Sequence, residues 1–425
     1  MLRGCLVMRI LLLGLNYAPE PIGTARYTTG LVDALASRGH EVRVVAGQPY
    51  YPNWSSRPGY RGWTKETRGT AEILRVPHVI PQKPTGRGRL IQHLTFALAA
   101  LPHMLASAIS WRPDCVIAIA PSLLAAPLVL MTAQLSGARS WLHVQDFELE
   151  AAMATGLVSR RPLIAKILGT IEKRLLQSFD RVSSISPAMC RRLLSKGVAA
   201  ERISEHRNWA ELAAIRAGQE RSSYRDLWQI ETPHVALYSG AMGRKQGLDL
   251  IVEAARRLKG RRDLTFVVCG NGPYRGELEA LARVLDNIRF QDLQPTERLG
   301  DLLSLATVHV LPQIAGAADL VLPSKLPNML PSGRPVIATA AIGTGLFDEI
   351  AGCGIAVPPG DAEALAKAIG ELCDDPLLAQ KLGAAGRCRA EARWDGPTIL
   401  AGFAADIEVA VSAQQKLVAL VGEPL

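Results

Sequence analysis

The residues best suited to chemistry in this sequence form a glycine-rich turn with two adjacent cations. An apolar run, 235–238, leads into Ser-Gly-Ala-Met-Gly-Arg-Lys-Gln-Gly and then into a helical pattern. Gly240 and Gly243 let the backbone approach a ligand, while Arg244 and Lys245 add positive charge where a helix begins. The turn matches neither the Gly-Lys-Ser/Thr of Walker loops nor the Gly-x-Gly-x-x-Gly of dinucleotide folds. It therefore predicts an anion site in which side-chain cations replace a cradle of amides.

A second group of polar residues surrounds the segment Pro-Ser-Lys-Leu-Pro-Asn. Ser324 is predicted to cap a short helix, with Lys325 beside it, and the plain alternative is capping alone with a solvated lysine. Asp319 and Asn328 flank this turn at a spacing that lets both reach one polyhydroxylated ligand. With the cation pair of the glycine-rich turn, Lys325 would supply about the two to three positive charges that a diphosphate needs.

Three titratable residues follow an apolar strand in the first half of the chain. His143 lies near the end of the predicted strand 140–145, and Asp146 and Glu148 come just after it. The carboxyl ends of parallel strands are where α/β enzymes keep their polar reagents. A structural histidine is the alternative, and metal binding is not expected because no second histidine lies nearby.

Two loops of the first half are candidate ligand loops. The loop 16–24 contains two prolines and Gly23, whose amide could approach a phosphate at a helix start, although a rigid turn would look the same. Aromatic residues between positions 50 and 63, with Tyr51 and Trp54 foremost, could stack on acceptor sugars or pack beneath a long loop. Asp146 and Glu148 are further candidates for the acceptor side.

The order of apolar runs and helical patterns predicts an α/β protein with two parallel sheets. The first series of strands is predicted at 9–14, 42–46, 72–76, 114–119, 140–145 and 181–185. The second is predicted at 234–239, 264–269, 287–291, 308–312 and 335–338, with helices at 247–259, 273–285, 295–305 and 361–372. Gly270 and Gly272 close the second strand of this later series, as a loop that meets a ligand requires.

Length indicates two domains, because 425 residues exceed one ordinary core. We predict a first domain at 8–206, a connection at 207–232 and a second domain at 233–396. The segment 397–425 is predicted to be a helix that crosses back onto the first domain. Ligands are expected in a cleft between the two sheets.

Composition and charge narrow the function classes. Hydrophobic residues make up 48% and charged residues 20%, which is typical of a folded protein. The net charge of +9 is concentrated in the first half, yet no nucleic-acid-binding motif occurs, so an anionic membrane or a phosphorylated substrate is favoured over nucleic acid. Seven dispersed cysteines without a Cys-x-x-Cys pair indicate reduced thiols and a cytoplasmic protein.

Two apolar segments could be mistaken for membrane elements. The run 6–15 is interrupted by Arg9 and lacks a cleavage site, so we interpret it as a strand rather than a signal peptide. The segment 90–110 has no charged side chain and is long enough to span a membrane. Because it contains Pro102 and lies between two predicted strands, a buried helix or one lying on an anionic membrane surface is favoured.

These motifs, in this order, resemble the GT-B-fold retaining glycosyltransferases of family 4. The resemblance is carried by Gly-Arg-Lys-Gln-Gly, Gly-Asn-Gly and Pro-Ser-Lys in the second half and by His143 in the first, and it runs from Met8 to the C-terminus. Asn-Tyr-Ala-Pro-Glu, Pro-Tyr-Tyr-Pro and His-Val-Gln-Asp are similar to the colanic acid biosynthesis fucosyltransferase branch. The implied fold is two Rossmann-like domains whose parallel sheets face each other across a cleft.

The resemblance implies transfer of a sugar from a nucleoside diphosphate sugar, with no cofactor and no essential metal. It implies that Arg244 and Lys245 neutralise the leaving diphosphate and that Gly23 approaches it from the other domain. His143, like the two cations, would be catalytic, and it would contact the donor sugar or hold the reaction centre. Gly270 and Gly272 would line the nucleobase side.

One position departs from the family pattern, which has two glutamates separated by seven residues. Asn328 stands at the second glutamate, and the first is replaced by Leu320 or displaced to Asp319. The expected acceptor is lipid-linked or polysaccharide, and the donor is possibly GDP-fucose. A sugar-nucleotide epimerase and a non-catalytic nucleotide-sugar-binding partner are the alternatives.

Overall fold

The chain folds into two compact units that are described separately. The computed structural model describes residues 7–20, 23–51, 53–82, 85–147, 162–210, 212–215, 221–314 and 323–421, apart from the side chains of residues 162, 164, 245 and 416–421. The first unit takes the chain up to His206 together with the residues from Pro397 onward, and the second takes Arg207–Gly396. Residues 207–232, treated above as a connection, thus belong to the second unit.

The first domain is built on an eight-stranded sheet in the order β3-β4-β2-β1-β5-β6-β7-β8. Its strands are β1 Arg9–Gly14, β2 Glu41–Gly47, β3 Thr64–Arg68, β4 Ala71–Val76, β5 Cys115–Ala120, β6 Arg139–Val144, β7 Arg181–Ser184 and β8 Ile203–Glu205. All neighbours are parallel except β3, which runs antiparallel to β4. The central strands β1, after its first residue, and β5 are apolar because both faces of the sheet are covered.

Helices cover the two faces of this sheet with different partners. They are α1 Thr24–Ser37, α2 Gly86–Ala106, α3 Ala126–Ser136, α4 Pro162–Gln177, α5 Pro187–Ser195 and the C-terminal helix Gly396–Val421. Residues of α2 to α5 share a core with Leu11 and Leu13 of β1. Residues of α1 and the C-terminal helix share a second core with Ile10 and Leu12 of β1 on the other face of the sheet, because side chains alternate along a strand.

The second domain has a six-stranded, fully parallel sheet in the order β11-β10-β9-β12-β13-β14. Its strands are β9 His234–Ser239, β10 Leu264–Cys269, β11 Ile288–Gln291, β12 Val308–Leu311, β13 Val336–Thr339 and β14 Gly354–Val357. Its helices are α6 Tyr224–Leu227, α7 Asp249–Arg257, α8 Arg275–Ala282, α9 Leu299–Ser304, α10 Leu326–Met329, α11 Gly345–Ile350, α12 Ala362–Asp374 and α13 Pro376–Arg393. The prediction of two α/β units with parallel sheets is confirmed.

Two helices of the first domain are long and apolar enough to cross a membrane. They cover Gly86–Trp111, where α2 continues into a π-helical turn, and Gly396–Gln415. Phe96 and Met104 of α2 are buried against the sheet, and so are Phe403 and Ile407 of the C-terminal helix. Each helix therefore forms part of the core of the first domain along one side.

Candidate functional site

The loops after β9 and β10 lie against each other at the carboxyl edge of the second sheet. The amide of Met242 donates to the carbonyl of Asn271 (2.9 Å), and the amide of Tyr274 donates back to the carbonyl of Met242 (3.1 Å). Parallel strands bring successive βα loops to one edge, so two loops separated by some 30 residues of sequence become neighbours. Main-chain hydrogen bonds thus hold the two loops together.

Two glycines permit this close contact. Gly240 and Gly270 have φ of +147° and +145°, which side chains rarely adopt. A Cβ on Gly270 would lie 1.9 Å from the carbonyl oxygen of Gly240, and one on Gly240 would lie 2.0 Å from Cε of Lys325. The structure therefore brings three of the predicted donor-binding residues into one contact.

The remaining glycines of the site shape the turns around this contact. The carbonyl of Gly243 accepts from the amide of Gln246 (3.1 Å) and closes the 3₁₀ turn Arg244–Gln246. The carbonyl of Gly272 accepts from the amide of Arg275 (3.2 Å), where α8 begins. Gly243 and Gly272, both predicted to bind the donor, thus lie in the paired loops.

Arg244 is an exposed cation of this site. Its side chain is 71% exposed, and Nη2 lies 2.7 and 2.5 Å from the two carboxylate oxygens of Glu277. The guanidinium also lies 4.6 Å from the ring centre of Tyr274. An exposed ion pair contributes only about 0–1 kcal/mol, so an anionic ligand can displace Glu277 at little cost. The side chain of Lys245 lies outside the described residues.

The start of α7 contributes less to an anion site than the sequence predicts. The amide of Leu250 donates to the carbonyl of Gly247 (3.2 Å), and the amide of Ile251 donates to that of Leu248 (3.0 Å). Asp249 adds a negative charge in the first turn. Because these amides are already bonded, positive charge at the site comes chiefly from side chains.

Lys325 reaches the glycine-rich turn from a different segment. Its stem lies beside Gly240, and Nζ is 5.4 Å from the ring centre of Tyr238. The hydroxyl of Tyr238 donates to the carbonyl of Ala241 (2.6 Å), and burial raises the pKa of this phenol. The neutral ring presents its face to the ammonium group, which is a favourable arrangement.

The prediction that Ser324 caps a helix is wrong. The helix α10 begins at Leu326, its N-cap residue is Lys325, and no side chain bonds the cap. A cap at Ser324 would need the amide of residue 326 or 327. The amide of Leu326 donates to the carbonyl of Pro323 (3.1 Å), and Pro327 has no amide hydrogen, so neither residue offers the Ser324 hydroxyl a capping donor.

Asn328 lies on α10, half-buried, at the position where the family pattern has a glutamate. Its Oδ1 is buried and has no hydrogen-bond partner among the described residues. A buried acceptor of this kind is satisfied in most proteins, which makes it suited to a ligand hydroxyl. Asp319, its predicted companion, lies outside the described residues.

In the first domain, His143 is buried near the end of β6. Its Nδ1 lies 2.9 Å from the hydroxyl of Ser183, which also accepts a hydrogen bond from Nε1 of Trp141 (2.8 Å). The imidazole packs against Phe403 with ring centres 5.1 Å apart. Burial, with a contribution from His206, lowers the pKa of His143 to about 3. The ring is therefore neutral at pH 7 and offers hydrogen bonds rather than charge.

A buried carboxylate, for which no role is predicted from the sequence, joins two loops of the first domain. Oε1 of Glu20 accepts from the amides of Tyr50 (2.9 Å) and Tyr51 (2.8 Å), and Oε2 accepts from Nδ2 of Asn16 (2.9 Å). Glu20 is 4% exposed, and burial raises its pKa despite these hydrogen bonds. The contact spans 30 residues of sequence, so no local pattern could have revealed it.

The other predicted residues of the first domain lie at the same edge of its sheet. Gly23 is the N-cap of α1, with φ of +70° and open space where a side chain would stand. Tyr51 and Trp54 are half-buried and stack edge to face, with ring centres 6.3 Å apart. Asp146 follows β6 and is half-buried. Glu148 lies outside the described residues.

Family models and relatives agree with the geometry of the two domains. The family model described as "Glycosyl transferase 4-like domain" matches residues 23–209, and that described as "Glycosyl transferases group 1" matches 233–375. The chain is 37% identical over 413 residues to the colanic acid biosynthesis glycosyl transferase WcaI of Escherichia coli K12, covering 94% of this chain and all of the relative. The chain belongs to the GT-B glycosyltransferases. The predicted family and enzyme class of this glycosyltransferase are confirmed.

Solved structures share the fold of this glycosyltransferase over nearly its whole length. Sucrose-phosphate synthase from Thermosynechococcus elongatus has a TM-score of 0.75 at 19% identity, covering 96% of this chain and 100% of that one. HepE from Anabaena, crystallised with UDP-glucose, has a TM-score of 0.67 at 15% identity, covering 96% of this chain and 100% of that one. At such identities the likeness establishes the two-domain glycosyltransferase fold alone.

Proposed function

We propose that the second domain binds a nucleoside diphosphate sugar and that the chain transfers the sugar with retention at the anomeric carbon. The observation that carries this proposal is the contact of the glycine loops with Lys325, beside the exposed Arg244. Arg244, Lys245 and Lys325 would neutralise the diphosphate, so that no cofactor and no essential metal ion are required. HepE, a protein of the same fold, was crystallised with UDP-glucose.

The sugar and nucleoside would be bound by neutral groups beside these cations. Gly270 and Gly272 would line the nucleobase, because a glycine-lined loop lets a flat ring approach the main chain. The unpartnered Oδ1 of Asn328 would accept a hydrogen bond from a ribose or sugar hydroxyl, the role proposed also for Asp319. His143, neutral at pH 7, is proposed as a hydrogen-bonding group for the donor sugar.

The transfer step needs no pair of catalytic carboxylates. The acceptor oxygen forms a bond to the anomeric carbon on the face from which the phosphate oxygen departs with the electron pair of the broken bond. The acceptor proton passes to that phosphate oxygen, and the nucleoside diphosphate leaves. Arg244 and Lys325 stabilise the charge that develops on the leaving group, which is the main work of the protein in such a step.

The acceptor is proposed to be a lipid-linked or polysaccharide precursor of a cell-surface glycan. The relative from Escherichia coli K12 bears the name of colanic acid biosynthesis, and an exopolysaccharide pathway with GDP-fucose as a possible donor fits that relationship. Tyr51, Trp54 and Asp146, with Glu148, are proposed to contact the acceptor, since half-buried aromatic rings stack well on sugars. The enzyme is proposed to act in the cytoplasm, peripherally bound to the membrane.

Arg244→Ala tests the donor site. We expect kcat/KM to fall about 100-fold with GDP- or UDP-sugar donors and a lipid-linked acceptor, because one charge-assisted contact is lost in the transition state. Folding stability is expected to change by less than about 0.5 kcal/mol, since the side chain is exposed. Arg257→Ala is the matched control, because it removes an exposed cation of the same domain outside this turn. Full transfer activity in Arg244→Ala would exclude the mechanism.

Glu277→Gln separates ligand binding from a structural role of Arg244. Without the carboxylate, Arg244 is released, and donor affinity is expected to rise up to about fivefold in a thermal-shift titration. If the ion pair is structural, Glu277→Gln would instead lower folding stability and leave donor affinity unchanged.

Removal of metal ions tests the proposal that no metal is essential. Transfer activity in about 1 mM chelator is expected to equal the activity without it, because side-chain cations carry the positive charge. A loss of activity in chelator would refute the metal-independent proposal.

A further inference from the structure

The outward side of α2 is an uninterrupted apolar stripe. Leu90, Ile91, Leu94 and Leu98 are all exposed, Leu98 to 62%, and they recur at the spacing of one helix face. The stripe continues with Pro102 and, beyond the end of α2, with Ile109, which is 71% exposed. No charged residue occurs between Leu90 and Trp111. Exposed apolar rows of this length are rare on soluble proteins and mark a contact surface.

Elements that contact α2 add further exposed apolar residues. The helix α3 packs beside α2, has no charged residue, and exposes Leu135 to 58%. Trp63 is 57% exposed, and its Nε1 donates to the carbonyl of Ala99 on α2 (3.3 Å). A tryptophan with a bonded indole nitrogen and an open ring is suited to the boundary between water and lipid. We call Leu90, Leu94, Leu98, Trp63 and Leu135 the apolar face.

Cations stand at one end of the apolar face. Arg87 and Arg89 are exposed at the start of α2, and neither forms an ion pair with a carboxylate of the described residues. The sequence up to residue 205 carries a net charge of +12. Basic residues beside an apolar helix face attract anionic headgroups, each contributing about fivefold in binding.

We infer that the apolar face lies on the surface of an anionic lipid bilayer. The inner side of α2, with Phe96 and Met104, is fixed in the protein core, so the helix lies on the membrane and does not span it. The inference rests on the proposed function in one respect, since it names the surface from which a lipid-linked acceptor would come. It goes further by assigning the contact to one helix face.

The apolar face adjoins the aromatic loop proposed for the acceptor. The guanidinium of Arg89 lies 5.4 Å from the ring centre of Trp54, and His78 packs edge to face on both Tyr50 of that loop and Phe96 of α2. A lipid tail held in the bilayer would keep its attached sugar close to these rings. Membrane contact and acceptor binding thus involve one contiguous part of the first domain.

Leu98→Glu compared with Val409→Glu tests this inference. Both place one carboxylate at an exposed apolar position of the first domain, but Val409 is on the C-terminal helix, on the other face of the sheet. We expect wild type and Val409→Glu to sediment equally with phosphatidylcholine vesicles containing phosphatidylglycerol. Leu98→Glu is expected to bind about tenfold less tightly. Arg87→Gln is expected to lower binding to these vesicles about fivefold and to leave binding to pure phosphatidylcholine unchanged.

Several results would overturn the inference. Equal vesicle binding of the two glutamate variants would do so, as would a wild type that does not bind anionic vesicles. A wild-type dimer in lipid-free buffer that Leu98→Glu converts to a monomer would assign the face to a second copy of the chain instead. Donor-dependent thermal stabilisation, measured without vesicles, reports on the proposed function separately, and Leu98→Glu is expected to retain it.

Discussion

The two domains hold their ligand-facing loops by different means. In the second domain, main-chain hydrogen bonds join the loops after β9 and β10, and the cation Arg244 stands exposed beside them. In the first domain, the buried side chain of Glu20 joins the loops after β1 and β2, and the candidate catalytic group His143 is itself buried. Main-chain hydrogen bonds involve no titratable group, whereas a buried carboxylate or imidazole has a shifted pKa and therefore makes folding stability depend on pH.

Because the loops are held differently, different substitutions separate function from folding in the two domains. Arg244 of the second domain can be removed with little effect on stability, because its side chain is largely exposed. A polar residue of the first domain cannot be changed so freely, because it bonds buried groups that would otherwise lack partners. The loops at the carboxyl edges of the two sheets should therefore respond differently to an added side chain and to a change of pH.

Gly270→Ala is expected to have the largest effect on the second domain. The added Cβ would lie 1.9 Å from the carbonyl oxygen of Gly240, at a φ of +145°, so the two loops must separate. We expect a loss of about 3 kcal/mol in unfolding free energy and loss of donor-dependent thermal stabilisation. Gly276→Ala, with open space around its Cβ on α8, is the control and is expected to be neutral or stabilising. Normal donor binding by Gly270→Ala would show that the loop contact is dispensable.

Acid is expected to act more strongly on the first domain. Burial lowers the pKa of His206 to about 4 and that of His143 to about 3, so the unfolded chain takes up protons first as pH falls below about 6.5. Each of these two neutral histidines makes its full contribution to the unfolding free energy above pH 6.5. Between pH 7 and pH 5, that contribution falls by about 2 kcal/mol for each histidine.

His206→Asn sharpens this expectation. The loss of unfolding free energy between pH 7 and pH 5 should be smaller by about 2 kcal/mol in the variant, measured by denaturant titration. In the second domain, burial lowers the pKa of His309 to about 3, so His309→Asn provides the matched comparison. Hydrogen exchange of the backbone amides in β6 and in β9 measures the stability of the first and the second domain separately. An unchanged pH dependence in His206→Asn would show that this residue does not titrate on unfolding.

Glu20→Gln is expected to have the smallest effect, with the opposite dependence on pH. Burial raises the pKa of Glu20 above its unfolded value of 4.5, so its favourable contribution is present below pH 4.5 and is lost as pH rises through the folded pKa. Gln preserves the shape and the acceptor for the amides of Tyr50 and Tyr51. The stability of the variant relative to wild type should therefore increase with pH, by at most about 1.4 kcal/mol per unit. A parallel pH dependence of the two proteins would contradict the buried titration.

The sequence predicts the centre of each sheet better than its edges. Strands such as β1 and β10 are recognised because burial on both faces requires continuous apolar runs. The edge strands β3 (Thr-Lys-Glu-Thr-Arg) and β8 (Ile-Ser-Glu) were not predicted, because a half-exposed edge tolerates polar residues. The helix α13 was missed as well, since it packs through small residues, Gly383, Gly386 and Ala390, rather than through an apolar stripe.

In the second-domain site, the main features are predictable from the sequence and the details are not. The glycine turn with Arg244 is local, and its neighbours in sequence are its neighbours in space. The ion pair of Arg244 with Glu277 and the contact of Lys325 with Gly240 join segments 33 and about 85 residues apart. The capping prediction for Ser324 failed because it ignored Pro327, whose missing amide hydrogen removes the donor that a cap needs.

The C-terminal helix has a consequence for the order in which the chain acquires its structure. Phe403, Ala404, Ile407 and Val411 are buried members of the core beneath the first sheet, with Phe403 stacked on His206 at 3.9 Å between ring centres. A ribosome delivers these residues only after the whole of Arg207–Gly396 has been synthesised. The contiguous second domain can complete its core during translation. The first domain, although made earlier, must wait for the C-terminal helix, and until then the part of its sheet that α1 leaves uncovered is open to chaperones.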